Sequence, residues 1–296
     1  MNAPAGIAPV AIGLILAAAI LHAIWNMLVR RGRHPEAFAW WMSVSATVCY
    51  LPLGIYLFVT VGLPNAGIPF VVATCVIHAF YFVLLGRAYE TGDLSLVYPI
   101  ARGTGPLLVP FIAVPLLGEH VSLLGAIGIL LIVLGVVTLQ ADGFGVGALT
   151  RLRAAIRLPA GQYAFATGIT IALYSVVDKG GVGVVHPVLY GYLLFAGSAF
   201  MSAIYFLSAR RTAVVACWRA NRGSIIAAGF LSPLTYFMAL IAFTYGQVSY
   251  LAPMRELSIV VAAVLGAWIL KERISRARMV SALITTAGVV VIGLGS

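Results

Sequence analysis

The chain has 296 residues, of which 62% are hydrophobic and only 9% are charged. A water-soluble domain of this length does not need so much apolar surface for its core, so the composition excludes a soluble globular protein and indicates an integral membrane protein. The formal net charge is +10. The basic residues lie in short loops between apolar segments, not on one soluble face, which argues against a nucleic-acid-binding protein.

Apolar runs of about 20 residues recur along the chain, and each is long enough to cross a hydrocarbon layer of about 30 Å as a helix. We predict ten spans, at residues 7–29, 37–60, 67–89, 95–117, 122–140, 161–178, 187–208, 224–245, 249–270 and 276–294. The first span has no basic region before it, so we expect it to remain as a spanning helix and not to act as a secretion signal. The expected fold is an all-α integral membrane protein.

Lysine and arginine residues are distributed unevenly between the predicted loops. Arg102 and Arg255 lie deep within spans; of the other 16, 15 lie in or at the edges of loops that follow odd-numbered spans, and only Lys179 lies on the other side. Cytoplasmic loops carry the excess of basic residues in membrane proteins. The bias therefore predicts that the odd-numbered loops are cytoplasmic and that both termini lie on the outer side.

The chain contains an internal repeat. Four positions recur at a constant offset of 154 residues: Ala88, Gly92, Ser95 and Pro99 match Ala242, Gly246, Ser249 and Pro253. Each half has five spans, an odd number, so the second half enters the membrane from the opposite side and the repeat is inverted. We predict a first repeat at residues 1–140, a glycine-rich cytoplasmic linker at 141–160 and a second repeat at 161–296.

Prolines and charged residues interrupt the repeat at matching places. Pro99 is followed by Arg102, and Pro253 is followed by Arg255 and Glu256. Proline opens the hydrogen-bond ladder of a helix, and ionisable groups at membrane depth are costly unless they face a cavity or each other. This combination predicts a transport path, with Pro99 and Pro253 as hinges.

Further motifs in both halves carry a family resemblance. They are Leu251 to Pro253, Leu270 to Ser275 and Gly288-Val289-Val290 in the second half, and Pro99, Leu117 to Ser122 and Gly135 in the first. These segments resemble the EamA repeat of the drug/metabolite transporter superfamily, and within it the chain is similar to YddG-type exporters of aromatic and other amino acids. The resemblance implies two five-helix repeats around a central cavity, lined chiefly by spans 1, 3, 4, 6, 8 and 9. It also implies a bacterial inner-membrane exporter that works by alternating access, so that the outer side predicted for both termini from the Lys/Arg bias is the periplasm.

Span 3 carries a set of aromatic and polar residues on one helical face, and span 8 carries a counterpart. The set comprises His78, Tyr81, Phe82 and Leu85 in span 3, and Tyr236 and Leu240 in span 8. One interpretation is a packing stripe with a histidine bonded to a neighbouring backbone group. The alternative is the wall of a substrate cavity, in which an amino-acid side chain stacks on the rings.

Arg102 lies four residues after Tyr98 and therefore on the same helical face. Its guanidinium matches a substrate carboxylate, which makes direct substrate binding one interpretation. The repeat offset, however, places Arg102 opposite Glu256, so an ion pair that latches the halves is a second interpretation. Snorkelling of Arg102 to the surface is a third.

Trp25 in span 1 and Tyr174 in span 6 occupy comparable positions in the two halves. Each is either an anchor at the membrane interface or part of the cavity wall. The first span has no acidic residue, which argues against simple proton-coupled drug antiport, although Asp178, Glu256 and His78 remain candidates for carrying a proton.

Two further features have structural interpretations. Glu119 and Glu272 precede serines and are expected to satisfy the N-terminus of a neighbouring helix. Small residues in spans 5 and 10, among them Gly128 and Gly288, favour close helix packing and contacts in a dimer.

The sequence lacks the signatures of several other classes. It shows no CxxC or Cys/His cluster, no nucleotide-binding GxxxxGK loop and no catalytic dyad, so we expect no metal, no cofactor and no enzymatic activity. The expected partners are an amino-acid substrate and the lipid bilayer, with proton coupling open and with a monomer or homodimer as the assembly. The alternatives are an exporter of drugs or other metabolites and, from another class, a non-transporting membrane scaffold or lipid-binding assembly factor.

Overall fold

The computed structural model describes residues 7–29, 35–92, 94–140, 154, 156–270 and 275–296, and no β-strand occurs among them. The helices are α1 (Pro9–Val29), α2 (Pro35–Cys49), α3 (Leu51–Thr60), α4 (Ile68–Thr91), α5 (Leu94–Leu117), α6 (Leu123–Gln140), α7 (Pro159–Val182), α8 (Pro187–Ala209), α9 (Arg211–Thr244), α10 (Val248–Met254), α11 (Leu257–Leu270) and α12 (Arg276–Gly295). A 3-10 turn, Asn65–Gly67, precedes α4. The all-α membrane fold is confirmed.

Among the described residues, the structure has fewer clear membrane spans than the ten predicted. Within the described residues, eight helices are long and apolar enough to cross a membrane, and a ninth is obtained if α2 and α3 form one bent span. The fifth predicted span corresponds to α6, whose apolar stretch Leu123–Leu139 is shorter than the others. The count of ten therefore stays a prediction.

Two of the predicted continuous spans are interrupted. The span at 37–60 is bent by 56° where α2 meets α3, next to Pro52, which has no N–H to donate and whose ring clashes with the preceding turn. The span at 249–270 is divided into α10 and α11, and the break at Arg255 and Glu256 begins two residues after Pro253. α5, in contrast, is continuous although it contains Pro99 and three further prolines.

α9 begins 13 residues before the predicted span at 224 and has 34 residues in all. At 1.5 Å per residue it is about 50 Å long, which exceeds the roughly 30 Å of a hydrocarbon layer. Non-helical backbone angles at Asn221 divide it into two pieces. The second piece forms the span, and the first, with exposed Arg211 and Arg219, extends beyond it.

The two halves of the chain pack against each other reciprocally. α1, the first helix of the first half, packs on α9 and α11, while α7, the first helix of the second half, packs on α4 and α5. The second helices, α2 and α8, contact each other, and so do the fifth helices, α6 and α12. Exchanging the halves therefore reproduces the same contacts, as an internal repeat requires. The first, third and fourth helices of both halves surround the centre.

α6 and α12 approach each other closely through glycines, as the small residues of these spans predicted. A Cβ atom added to Gly288 would lie 2.7 Å from the Gly128 carbonyl oxygen, and one added to Gly128 would lie 2.8 Å from the Gly288 carbonyl oxygen. The Ser281 hydroxyl donates to Thr138 Oγ1 at 3.0 Å in the same interface. Backbone-to-backbone contact of this kind is possible only between small residues.

We expect Gly288→Ala to lower the free energy of unfolding by about 1–3 kcal/mol, because the added methyl group overlaps backbone atoms of α6 that cannot move aside. Gly293→Ala in the same helix is the matched control, since nothing lies within 4 Å of a Cβ added there. Unfolding of both variants in detergent by denaturant titration checks this. Equal stability of the two variants would contradict the packing described.

Two predicted features lie largely outside the described residues. The expected linker at 141–160 overlaps them only at residue 154 and from residue 156 onwards. Glu272 is not among them either. The domain boundaries and the capping role of Glu272 stay predictions.

Candidate functional site

A cavity of about 220 Å³ lies between the two halves. Its wall is formed by side chains of α1, α2, α4, α5, α7, α8 and α9, and by Arg255 at the break between α10 and α11. At one end it reaches Asn26, Glu36 and Tyr89, which lie near helix ends. The other end is closed by a network of polar side chains.

The aromatic face of α4 lies on the cavity wall. His78, Tyr81, Phe82 and Leu85 all line the cavity, because residues three and four apart share one side of a helix. The His78 ring stacks on Tyr174 of α7 at a centroid distance of 4.3 Å. Tyr81 meets the same Tyr174 edge-on at 6.1 Å. The wall is thus a set of mutually supported rings that is suited to an apolar or aromatic group.

Asp178 of α7 accepts hydrogen bonds from three hydroxyl groups on three other helices. Thr74 of α4 donates to Oδ1 at 2.6 Å, Tyr190 of α8 donates to Oδ1 at 2.8 Å, and Tyr236 of α9 donates to Oδ2. The Asp178 side chain is fully buried and does not itself line the cavity. It therefore ties four helices together at the closed end.

His78 is connected to this network through the backbone and side chain of Thr74. His78 Nδ1 lies 2.9 Å from the Thr74 carbonyl oxygen and 3.2 Å from Thr74 Oγ1. The carbonyl contact fits a proton on Nδ1, which leaves Nε2 free to accept. The His78 ring is thus bonded to a backbone group, as one interpretation from the sequence predicts, and it also lines the cavity, while stacking of a substrate on it stays a prediction.

Arg102 and Glu256 form an ion pair across the two halves. Arg102 Nη1 lies 3.3 Å from Glu256 Oε1, and the side chains are 17% and 4% exposed. Arg102 Nη2 also lies 3.1 Å from His22 Nε2 of α1, and its guanidinium lies 5.7 Å from the centre of the Tyr98 ring. Of the three interpretations of Arg102, the ion pair is the one observed.

The helix break between α10 and α11 places Arg255 and Glu256 side by side. Pro253 cannot donate a backbone hydrogen bond, and the amides that follow bond to closer carbonyls, as Glu256 N to Pro253 O at 3.0 Å and Ser258 N to Arg255 O at 3.1 Å. This tighter turn points Glu256 towards Arg102 and leaves Arg255 on the cavity wall. Arg255 lies 5.2 Å from the centre of the Tyr236 ring.

Two charged residues satisfy helix ends near the closed end of the cavity. Glu119 accepts from the amides of Val248 and Ser249 at 2.7 and 2.9 Å, which confirms that it caps a neighbouring helix N-terminus. Lys179 donates to the carbonyls of Phe243 and Gly246 at 2.5 and 2.9 Å. Both contacts secure the turn between α9 and α10.

Most of the residues predicted for the site come together. Nine line the cavity: Trp25, His78, Tyr81, Phe82, Leu85, Tyr98, Arg102, Tyr174 and Tyr236. The prediction for Leu240 is wrong, because its side chain is fully buried in the hydrophobic core. It lies one turn beyond Tyr236, where the helices have already closed on each other and where it packs against Gly191.

Sequence reasoning missed other residues of the wall. His22, Ser198 and Thr235 line the cavity, and Arg255 does so beside the ion pair. Arg255 alone gave a signal, as an arginine within a predicted span. Histidine, serine and threonine are common enough in membrane helices that nothing in the sequence marked the others. No group of residues in the described part of the chain has the composition of a metal site.

The match to known proteins is strongest at the level of the family. A family model described as the EamA-like transporter family matches residues 9–140 and 159–294. No curated protein matches the chain significantly. A solved crystal structure superposes with a TM-score of 0.74 over 96% of this chain and 96% of the other, at 18% sequence identity. At that identity the likeness concerns the fold alone.

Proposed function

The chain belongs to the EamA-like transporter family, whose members are transporters and not enzymes, and on this premise we propose that it exports amino acids, aromatic and other neutral ones, by alternating access. The setting proposed is a bacterial inner membrane. The finer similarity to YddG-type exporters belongs to the same proposal.

The wall of the cavity is the observation that carries the proposal. Rings of Tyr81, Phe82 and Tyr174 form an apolar surface, and the charged groups Arg102 and Arg255 lie at the same cavity. An amino acid combines an apolar or aromatic side chain with the charged groups on its α-carbon. It therefore matches both the aromatic part and the charged part of the cavity wall. A purely apolar drug would leave the charged part without a partner, and a phosphorylated metabolite calls for more cationic groups than these.

The position of the cavity supports alternating access. It lies between the two halves, with wall residues from the first four helices of each, and rocking of one half against the other there opens one end and closes the other. The open end contains Asn26, Glu36 and Tyr89, near helix ends that the Lys/Arg bias predicts to be cytoplasmic. We therefore infer that the conformation described loads substrate from the cytoplasm.

Closure of the opposite end supports the same assignment. Asp178 binds hydroxyls of α4, α8 and α9 there, and Glu119 and Lys179 secure the turn between α9 and α10. Two of these contacts, Thr74 with Asp178 and Glu119 with the amides of α10, cross between the halves, so release to the outside requires them to rearrange. The outer end thus acts as the gate in this proposal.

The direct test is flux of radiolabelled phenylalanine, threonine and methionine through the purified protein in liposomes. We expect saturable flux that unlabelled amino acids compete away. The assay is run with and without a pH gradient, because a response to the gradient distinguishes a proton-coupled antiporter from a facilitator. Flux no greater than in empty liposomes, from protein shown to be folded, would contradict the amino-acid assignment and favour a panel of dyes and metabolites.

A further inference from the structure

We propose that Arg255 binds the substrate through its carboxylate, so that a free carboxylate is required for transport. The inference rests on the proposed function, which supplies an amino acid, but it names the recognised group and the residue that recognises it. It assigns to Arg255 the role that the sequence had suggested for Arg102.

The position of Arg255 is set by the break in the ninth predicted span. Its backbone lies between α10 and α11, directly after Met254, and its side chain lines the cavity. Half-helices that end at the centre of a transporter are where substrate groups are commonly bound, because the chain there can present side chains to the cavity without leaving the membrane. Arg255 therefore occupies a place suited to a ligand contact.

Arg255 differs from Arg102 in its partners. Arg102 has a carboxylate at 3.3 Å and His22 Nε2 at 3.1 Å. The Arg255 guanidinium forms no ion pair and no side-chain hydrogen bond with any residue that the structure describes, and it lies over the face of the Tyr236 ring. The two arginines thus share one nearby carboxylate, that of Glu256, which is already bound to Arg102.

The other buried carboxylates, those of Glu119 and Asp178, are also occupied, and Glu119 accepts from the amides of Val248 and Ser249. Asp178 is held by Thr74, Tyr190 and Tyr236, and Tyr236 contacts both Asp178 and Arg255. Glu36 also lines the cavity, at its open end, but Arg255 forms no ion pair with it or with any other carboxylate that the structure describes. A cation at membrane depth is costly unless an anion or a water-filled space accommodates it. A substrate carboxylate supplies that anion.

The groups at and around Arg255 indicate which kind of ligand fits there. A guanidinium presents a planar fork that matches the two oxygens of a carboxylate. The Phe195 and His78 rings meet the Tyr236 ring edge-on, at centroid distances of 5.9 and 6.0 Å. The Arg255 guanidinium therefore lies next to an aromatic surface. A carboxylate with an apolar or aromatic group attached to it fits this pair of features.

The test compares phenylalanine with two analogues that lack the negatively charged carboxylate. Unlabelled phenylalanine, phenylalaninamide and phenethylamine compete with flux of labelled phenylalanine in liposomes that contain the native protein. We expect the amide and the amine to compete about 100-fold more weakly than phenylalanine, because each lacks the carboxylate that accepts two charge-assisted hydrogen bonds. Because this arm uses the native protein, it does not depend on whether a variant folds.

Variants provide the second arm. Arg255→Gln should abolish most of the discrimination between phenylalanine and the amide, and Arg255→Lys should restore part of it, since a lysine keeps the charge but not the fork. Arg219→Gln, at an exposed position outside the cavity, is the matched control and should behave as the native protein.

The outcomes separate the two proposals. If phenylalanine flux is saturable but the amide competes as well as phenylalanine, the carboxylate proposal is overturned while the exporter assignment stands. If Arg255→Gln transports phenylalanine with unchanged discrimination, the assignment of Arg255 is overturned. If native protein shows no saturable flux of any amino acid, the proposed function fails and this inference fails with it.

Discussion

Replacement of Glu256 by glutamine is expected to lower the free energy of unfolding by about 3–5 kcal/mol, the usual cost of removing one partner of a buried ion pair. Glu256 is only 3% exposed, and its Oε1 is the ion-pair partner of Arg102. The variant leaves the Arg102 guanidinium at membrane depth with a neutral amide. Denaturant titration in detergent micelles measures the effect.

A double-mutant cycle identifies the cause. Arg102→Gln should also destabilise the protein, but Arg102→Gln combined with Glu256→Gln should cost less than the sum of the two single variants, because no uncompensated charge remains. Additive effects would contradict a direct pair. Unchanged folding of Glu256→Gln would contradict it as well.

The second large effect is expected at Asp178. Its carboxylate accepts from Thr74, Tyr190 and Tyr236, and Asp178→Asn replaces one accepting oxygen by a donor that faces these hydroxyls. Hydrogen bonds to a charged group contribute about 1.5–3 kcal/mol each, so we expect a loss of roughly 2–4 kcal/mol in the free energy of unfolding. The same titration measures it.

A labelling experiment tests whether the outer end also loosens. Cys75 is buried next to Thr74, and its Sγ lies 3.6 Å from the Leu193 carbonyl oxygen. In a background without the other two cysteines, Asp178→Asn should make Cys75 react faster with a membrane-impermeant maleimide. Thr170→Val in the same helix is the control, since Thr170 bonds only within its own helix. Equal labelling rates in the two variants would show that Asp178 does not hold the gate.

Periodicity predicted that the aromatic residues of span 3 share one face, and left open whether that face is a packing stripe or a cavity wall. His78, Tyr81, Phe82 and Leu85 share a face because of their spacing, and all of them line the cavity. The same rule failed for Leu240, which shares a face with Tyr236 but lies one turn deeper, in the packed core. Periodicity gives the side of a helix on which a residue lies. It does not give the depth at which a cavity ends.

The internal repeat predicted one long-range contact. The offset of 154 residues placed Arg102 opposite Glu256, and the two side chains meet. It did not predict that Arg255 would face the cavity, because that depends on the tight turn after Pro253. The sequence places two arginines at membrane depth, and only the backbone geometry distinguishes the paired one from the other.

The hydroxyl network at Asp178 was beyond sequence reasoning. Its donors lie in three helices, and one of them, Thr74, is 104 positions away in the chain. No repeat offset or helical spacing relates Thr74, Tyr190 and Tyr236 to one another. Their meeting is a consequence of how α4, α8 and α9 pack on α7, which a single sequence does not specify.

Counterflow is the measurement that tests the central claim most directly. Liposomes that contain the protein are loaded with unlabelled phenylalanine and diluted into a trace of labelled phenylalanine, with empty liposomes as the control. A carrier that alternates a single cavity between the two sides predicts a transient accumulation of label above its equilibrium level, which decays as the unlabelled pool runs down. A monotonic rise to equilibrium, or no uptake beyond the control, would contradict an alternating amino-acid carrier.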